Sequence, residues 1–167
     1  MVGEITRVRK TIHNLIWDSM KLKDAVKIAE DDPRVKEILD SGGFLCSAHV
    51  MVKPDEEIKV WDLFYFDPES RKIISVGVGE TVKVGNPEDP LNEEVGRIDV
   101  SLLIEGSEAI KIGGTDGAQR ILLSLMKREK HIWNVISLKG NLLFLNVVDG
   151  ESGDILEKKV INPFRIL

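Results

Sequence analysis

Few residues in this chain have the chemistry of a reactive centre: one cysteine, Cys46, and three histidines, His13, His49 and His131. Cys46 and His49 stand in a C-x-x-H spacing that some metal sites share. Both fall in Phe44–Lys53, a run that reads as a strand, where positions three apart face opposite sides and cannot hold one ion. On this reading Cys46 aligns with Phe44, Ala48 and Val50 on the core side. A lone thiol also excludes an intramolecular disulfide and a Cys-rich zinc site, so no metal and no cofactor is expected. His49 and His131 are candidate general bases, because an imidazole titrates near neutral pH. No orienting carboxylate stands at a fixed spacing from either. His13 and Trp17, four apart, read as a packing pair on a helix.

Three loops have a superficial likeness to ligand sites. Asp149-Gly150-Glu151-Ser152-Gly153-Asp154 has the acidic look of a calcium loop, but Asp154 and Val160 stand where an EF-hand needs its glycine and bidentate glutamate. It reads instead as a turn whose Asp and Ser side chains bond its own backbone, as does Asp67-Pro68-Glu69-Ser70. Gly113-Gly114-Thr115-Asp116-Gly117 lacks the Lys-Ser/Thr of a phosphate loop and reads as helix punctuation. Gly77-Val78-Gly79 ends a strand with no helix after it, and so is no dinucleotide fingerprint.

These residues must be held by an ordinary globular scaffold. The chain has 167 residues, 43% hydrophobic and 31% charged, with 23 Lys+Arg against 28 Asp+Glu. That is long enough to bury a core without staples. The net charge of −5 argues against a nucleic-acid partner, and the basic run Arg7, Arg9, Lys10 is too short to change that. No apolar run approaches the roughly 20 residues of a membrane span, and Met1–Lys10 lacks the apolar run of a secretion signal. No membrane association and a cytoplasmic location are the expectation.

Apolar spacing predicts a helix over Thr6–Met20 and another from Leu22 to Ala29, then a break at Asp31-Asp32-Pro33. Asp32 caps a short helix over Pro33–Ser41, which Gly42-Gly43 ends. Strands follow over Phe44–Lys53, Ile58–Phe66 and Ile73–Val78. Asn86–Glu94, with two prolines and four acids, has linker chemistry. Beyond it the pattern predicts a strand over Ile98–Ile104, a helix over Ser107–Ile112 and a further helix from Thr115 or Asp116 through Ile121, Leu122, Leu125 and Met126 to Lys130. Strands over His131–Leu138, Leu142–Val148 and Asp154–Ile161 complete the order.

The two halves repeat this order, and an offset of 82 residues aligns them. It matches Leu63, Asp67, Glu69, Ser70, Ile73 and Val78 with Leu145, Asp149, Glu151, Ser152, Ile155 and Val160. These are six identities in sixteen positions, where roughly one is expected from composition. The same offset pairs Ile28 with Ile110 and His49 with His131, so the two imidazoles could face one groove.

Leu22–Ala29, Asp32–Leu39 and Val60-Trp61-Asp62-Leu63-Phe64-Tyr65-Phe66-Asp67-Pro68 together resemble the PepSY domain. Trp133-Asn134-Val135 with Asn146–Leu156 is similar to a second copy, ending near that family's D-x-x-[ST]-G-x-[IL] turn. The resemblance implies a cystatin-like fold, a helix across a curved antiparallel sheet. It also implies a role like the propeptide modules of peptidases or regulatory sensors, members of a family usually secreted or membrane-attached. It carries over no catalytic residue, and Arg71 stands where the family has a turn glycine.

The expected fold class is therefore α+β, with two cystatin-like repeats, each a broken helix on an antiparallel meander: residues 1–86 and 95–167, joined by 87–94 and packed through their sheets. Leu142–Val148 and Ile58–Phe66 are apolar on both faces, while a helix covers only one. The sister repeat, a second subunit in a homodimer or a ligand must cover the other. The expected function is a non-enzymatic binding or regulatory module that meets a peptide or protein through a sheet face or edge. Trp61, Tyr65 and Trp133 are its candidate anchors. The alternative is a small-molecule binding protein or enzyme with a cavity between helix and sheet, using His49 or His131 as general base.

Overall fold

A computed structural model describes residues 19–91, 95–114 and 116–162. The helix expected over Thr6–Met20 with its His13/Trp17 pair, the basic run Arg7 to Lys10, residues 92–94 of the linker, and Thr115 lie outside them, save for Ser19 and Met20. The described chain is α+β: helices α1 (Leu22–Glu30), α2 (Pro33–Asp40) and α3 (Gly106–Gly113), and eight strands in one antiparallel sheet. The strands are β1 (Phe44–Val52), β2 (Trp61–Asp67), β3 (Lys72–Val78), β4 (Val82–Val84), β5 (Arg120–Lys127), β6 (His131–Lys139), β7 (Leu142–Asp149) and β8 (Ile155–Ile161). No helix among the described residues is long and apolar enough to cross a membrane.

The local chemistry of the first half is as the pattern predicts. Leu22, Ala25, Val26 and Ala29 recur at helical spacing and are the buried face of α1. The Asp32 carboxylate caps α2 by accepting from Arg34 N–H at 2.9 Å, and Pro33 takes the first helical position. Gly42, at φ +89°, turns the chain into β1.

Three elements differ from the sequence expectation, and one of them, the short edge strand β4, has no counterpart in it. Residues expected as a helix up to Lys130 form β5, because Ile121, Leu123 and Leu125, at alternate positions, bury one face of a strand more completely than Ile121, Leu122, Leu125 and Met126 could serve a helix. A short apolar run satisfies both periods, and the unfilled edge of β1 decides between them. Residues 98–104 form no strand: a single 3₁₀ turn at Val100–Leu102, capped by Asp99, carries the chain to α3.

The strand order is β4-β3-β2-β1-β5-β6-β7-β8, with β1 and β5 antiparallel from Ser47↔Met126 to Val52↔Ile121. The halves thus join edge to edge in one sheet and do not stack sheet on sheet. All three helices lie on one face. There Trp61 and Trp133 are fully buried with ring centroids 6.0 Å apart, next to Leu63, Val135 and Leu123. Each indole donates its Nε1–H to a carbonyl two residues before a helix: Trp61 to Met20 (2.8 Å) and Trp133 to Ile104 (3.2 Å). Glu105 ties the two helix starts together, its carboxylate accepting from Leu22 N–H at 2.8 Å.

This arrangement corrects the offset of 82, which lays β2 on β7 and β3 on β8. Counted outward from the β1/β5 seam, β2 is second and β7 third. Three of the six identities, at the Asp, Glu and Ser positions, come from shared turn chemistry. Asp67 accepts from Glu69 N–H and from Ser70 Oγ–H, while Asp149 accepts from the N–H groups of Glu151 and Ser152. Arg71 holds the left-handed conformation, φ +59°, that glycine supplies at Gly153, φ +81°.

Candidate functional site

The sheet face away from the helices carries Phe64, Phe66, Ile73, Leu122, Met126, Ile132, Ile136 and Leu145, all half-buried, with Met51 exposed. No helix covers it. Past β4 the chain follows the outer edge of β3, where Ile73 and Glu88 exchange backbone hydrogen bonds of 2.7 and 2.8 Å. It next reaches the end of the seam, where Ile98 N–H bonds to Leu45 C=O at 2.9 Å. Gly96 passes so close to β5 there that a Cβ would lie 2.3 Å from the Lys127 carbonyl.

Between this segment and the sheet lies a pocket of 330 Å³. Its floor is Cys46, Ser47 and His49 from β1, Phe64 from β2, Ile73 and Ser75 from β3, and Met126 from β5. Asn86, Pro90, Leu91 and Val95 wall it, and Glu88, Asp89, Lys127 and Arg128 give it a rim of both signs. Lys72 pairs with Asp89 at 2.5 Å.

A bulge in β1 brings Cys46 onto the face where Ser47 and His49 already point by alternation with Ala48 and Val50. The pairing with β2 shifts between Leu45 and Ser47, so Cys46 is an extra residue. Phe44 then faces the pocket side, while Leu45, Ala48 and Val50 face the helices. Cys46 is accordingly not a core residue in line with Ala48 and Val50. It lines the same pocket as His49, against the expectation that regular alternation would separate them.

The Cys46 thiol donates to Phe64 C=O at 3.2 Å, and burial pushes its pKa up to about 12. It is therefore a poor nucleophile. The His49 ring meets Phe64 edge-on, with centroids 4.9 Å apart, and its Nε2 lies 2.6 Å from Ser47 Oγ. Burial lowers its pKa, against an opposing pull from Asp62, its partner across the strands. Ser47 Oγ–H donates to Leu125 C=O at 3.0 Å, which leaves the serine oxygen to accept from a neutral His49 Nε2–H. With its proton committed to the backbone, Ser47 is not poised for attack. The arrangement suits the binding of an apolar or aromatic group beside a neutral imidazole.

The other sequence candidates lie elsewhere. Trp61, Tyr65 and Trp133 are fully buried under the helices, so none can meet a partner in the folded chain. The Tyr65 hydroxyl has no hydrogen-bond partner of ordinary geometry among the described residues. Glu30 faces it, and burial raises the pKa of that carboxyl. His131 is buried on the helix side, with Nε2 accepting from Asp99 N–H at 3.0 Å and Nδ1 3.2 Å from the Glu151 carboxylate. It fastens the entry to α3 onto the Asp149 turn. It shares no groove with His49, because the two side chains leave opposite faces of the sheet. The pocket, too, lies on the face opposite the helices, not between helix and sheet.

Sequence reasoning missed Ser47, Phe64, Ile73 and Met126. The period-two pattern of β1, β2 and β3 could have found Ser47, Phe64 and Ile73; the bulge that sets Cys46 beside them has no residue signature. Among the described residues no group of His, Cys, Asp or Glu is arranged to hold a metal.

No known family matches this chain, and no curated protein matches it. Its fold is similar to that of a putative lipoprotein from Clostridium difficile 630, solved as a crystal structure. The TM-score is 0.61 at 14% identity, over 86% of this chain and 94% of that one.

Proposed function

We propose that this protein is a non-enzymatic binding module whose peptide or protein partner meets the open sheet face and inserts an apolar or aromatic side chain into the pocket over His49, Phe64 and Met126. The observation that carries this reading is an apolar sheet face that no helix among the described residues covers, with a pocket of 330 Å³ in it. Exposed apolar surface of that kind marks interaction sites, and a pocket beside it supplies the buried anchor point that dominates binding energy. A cytoplasmic setting belongs to the same proposal. The lipoprotein label of the similar structure points to the rival setting at a membrane surface, and cell fractionation separates the two.

The reading as two cystatin-like, PepSY-like units is part of the proposal. Its support is the pair of helix-then-meander halves flanking one antiparallel seam, with equivalent indole-to-carbonyl bonds from Trp61 and Trp133. The helix starts are 84 residues apart and the tryptophans 72, since 106 − 22 = 84 and 133 − 61 = 72. The second half lacks a counterpart of α2, and that accounts for most of the difference.

The test is selection from a displayed random-peptide library. Selected peptides carry an apolar or aromatic anchor and bind Phe64→Asp and Met126→Asp at least tenfold more weakly. Lys83→Glu, on the short edge strand, leaves them unchanged. Peptides that bind all of these variants alike overturn the reading. The 2.6 Å contact between Ser47 and His49 favours a second reading, a small-molecule site with His49 as general base. Loss of a turnover activity in His49→Gln, with peptide binding absent throughout, would establish it.

A further inference from the structure

The two edges of the sheet are unlike. β4 is three residues long, and Arg34 donates to its Val82 carbonyl at 3.4 Å. β8 is seven residues long, pairs only with β7 among the described residues, and is exposed along nearly all its length. Ile155, Leu156 and Val160 are 42%, 44% and 61% exposed. A long edge with apolar side chains is a template for another strand, and proteins ordinarily blunt it. Here a bulge at Leu156 and the charges Glu157, Lys158 and Lys159 are the blunting elements.

Those charges also have a pattern. Read antiparallel to itself about Lys158, the strand Ile-Leu-Glu-Lys-Lys-Val-Ile sets Glu157 opposite Lys159, Leu156 opposite Val160 and Ile155 opposite Ile161, each twice. We propose that β8 pairs with β8 of a second copy of this chain in that register, making a closed two-fold dimer with one continuous sheet. Glu157 and Lys159 pair within the strand at 2.9 Å in the single chain, and each gains a directly opposed partner of opposite sign in the dimer. Lys158 meets its own copy across the axis and opposes association. The guarded β4 edge prevents further growth, so the contact closes at two copies.

The experiment is light-scattering mass measurement of the full chain across dilution, with folding checked by circular dichroism. Wild type shows twice the chain mass of 18.7 kDa at high concentration. Glu157→Lys and Lys159→Glu each place like charges opposite one another at two positions and weaken the dimer about tenfold. Mixing these two variants restores it, because each then supplies the sign the other lacks. Lys158→Thr tightens it. Wild type that stays monomeric, a dimer indifferent to the single substitutions, or a mixture that does not reassociate each overturns the proposal.

Discussion

Gly106→Ala separates backbone propensity from packing, because the two predict opposite signs. Gly106 opens α3, and alanine is favoured over glycine in a helix by up to about 1 kcal/mol. Its position, however, is against the seam. A Cβ there would lie 2.7 Å from Trp61 Cη2 and 2.9 Å from Leu123 Cδ2, both in fully buried side chains. Neither neighbour is free to swing away, so the added methyl must push α3 off the sheet. Overpacking of this kind costs about 1–3 kcal/mol, and the propensity gain is smallest at a helix's first position. The net expectation is a loss of about 1–2 kcal/mol, read as a lower urea midpoint with unchanged slope. In a Trp61→Phe background, which removes the clashing indole atoms, the same substitution costs less. A Gly106→Ala protein more stable than wild type refutes the packing of α3 onto Trp61.

Three further outcomes follow from the geometry. Arg71→Gly stabilises the fold by about 0.5–1 kcal/mol in urea denaturation, because it relieves a left-handed arginine at some cost in unfolded-state entropy; destabilisation refutes the strain. Cys46, its pKa pushed up to about 12, reacts with iodoacetamide at pH 8 far more slowly in the folded protein than in denaturant, and equal rates refute its burial. The folded His49 has a pKa below its ordinary 6.5, so the unfolded state takes up the proton first. Its contribution is therefore complete above the ordinary value and is lost as pH falls through the depressed one. The midpoint of His49→Leu consequently falls less than that of wild type on acidification below about pH 6.5; identical pH dependence refutes the assignment.

Local chemistry made much of the fold legible. Asp32-Pro33, Gly42 and the Asp67 and Asp149 turns each carry a mechanism in their own side chains, and the elements they bound are where the sequence places them. β5 was not legible, since Ile121 to Met126 fits two periods and only its pairing with β1 selects one. Apolar excess in β2 and β7 signalled that one face of the sheet needs cover besides a helix, and the described helices do all lie on the other face. It could not say that the sister half would extend the same sheet and leave the second face to a linker. The aromatic anchors failed for a related reason. Trp61, Tyr65 and Trp133 have the residue types of an interface, but strand alternation gives them to the helix side once the register is fixed. The site was least legible of all, because a bulge at Cys46 takes Phe44 and Cys46 off the face that Ala48 and Val50 share and sets Cys46 beside Ser47 and His49, and a bulge depends on the partner strand.

Methyl NMR of methionine-labelled protein tests the central claim most directly, since Met126 floors the pocket, Met51 stands on the same open face, and Met20 lies at the helix side against Trp61. On titration with a library-selected peptide, the account predicts shifts at Met126 and Met51 with Met20 unmoved. Shifts at Met20 with Met126 and Met51 silent would contradict it.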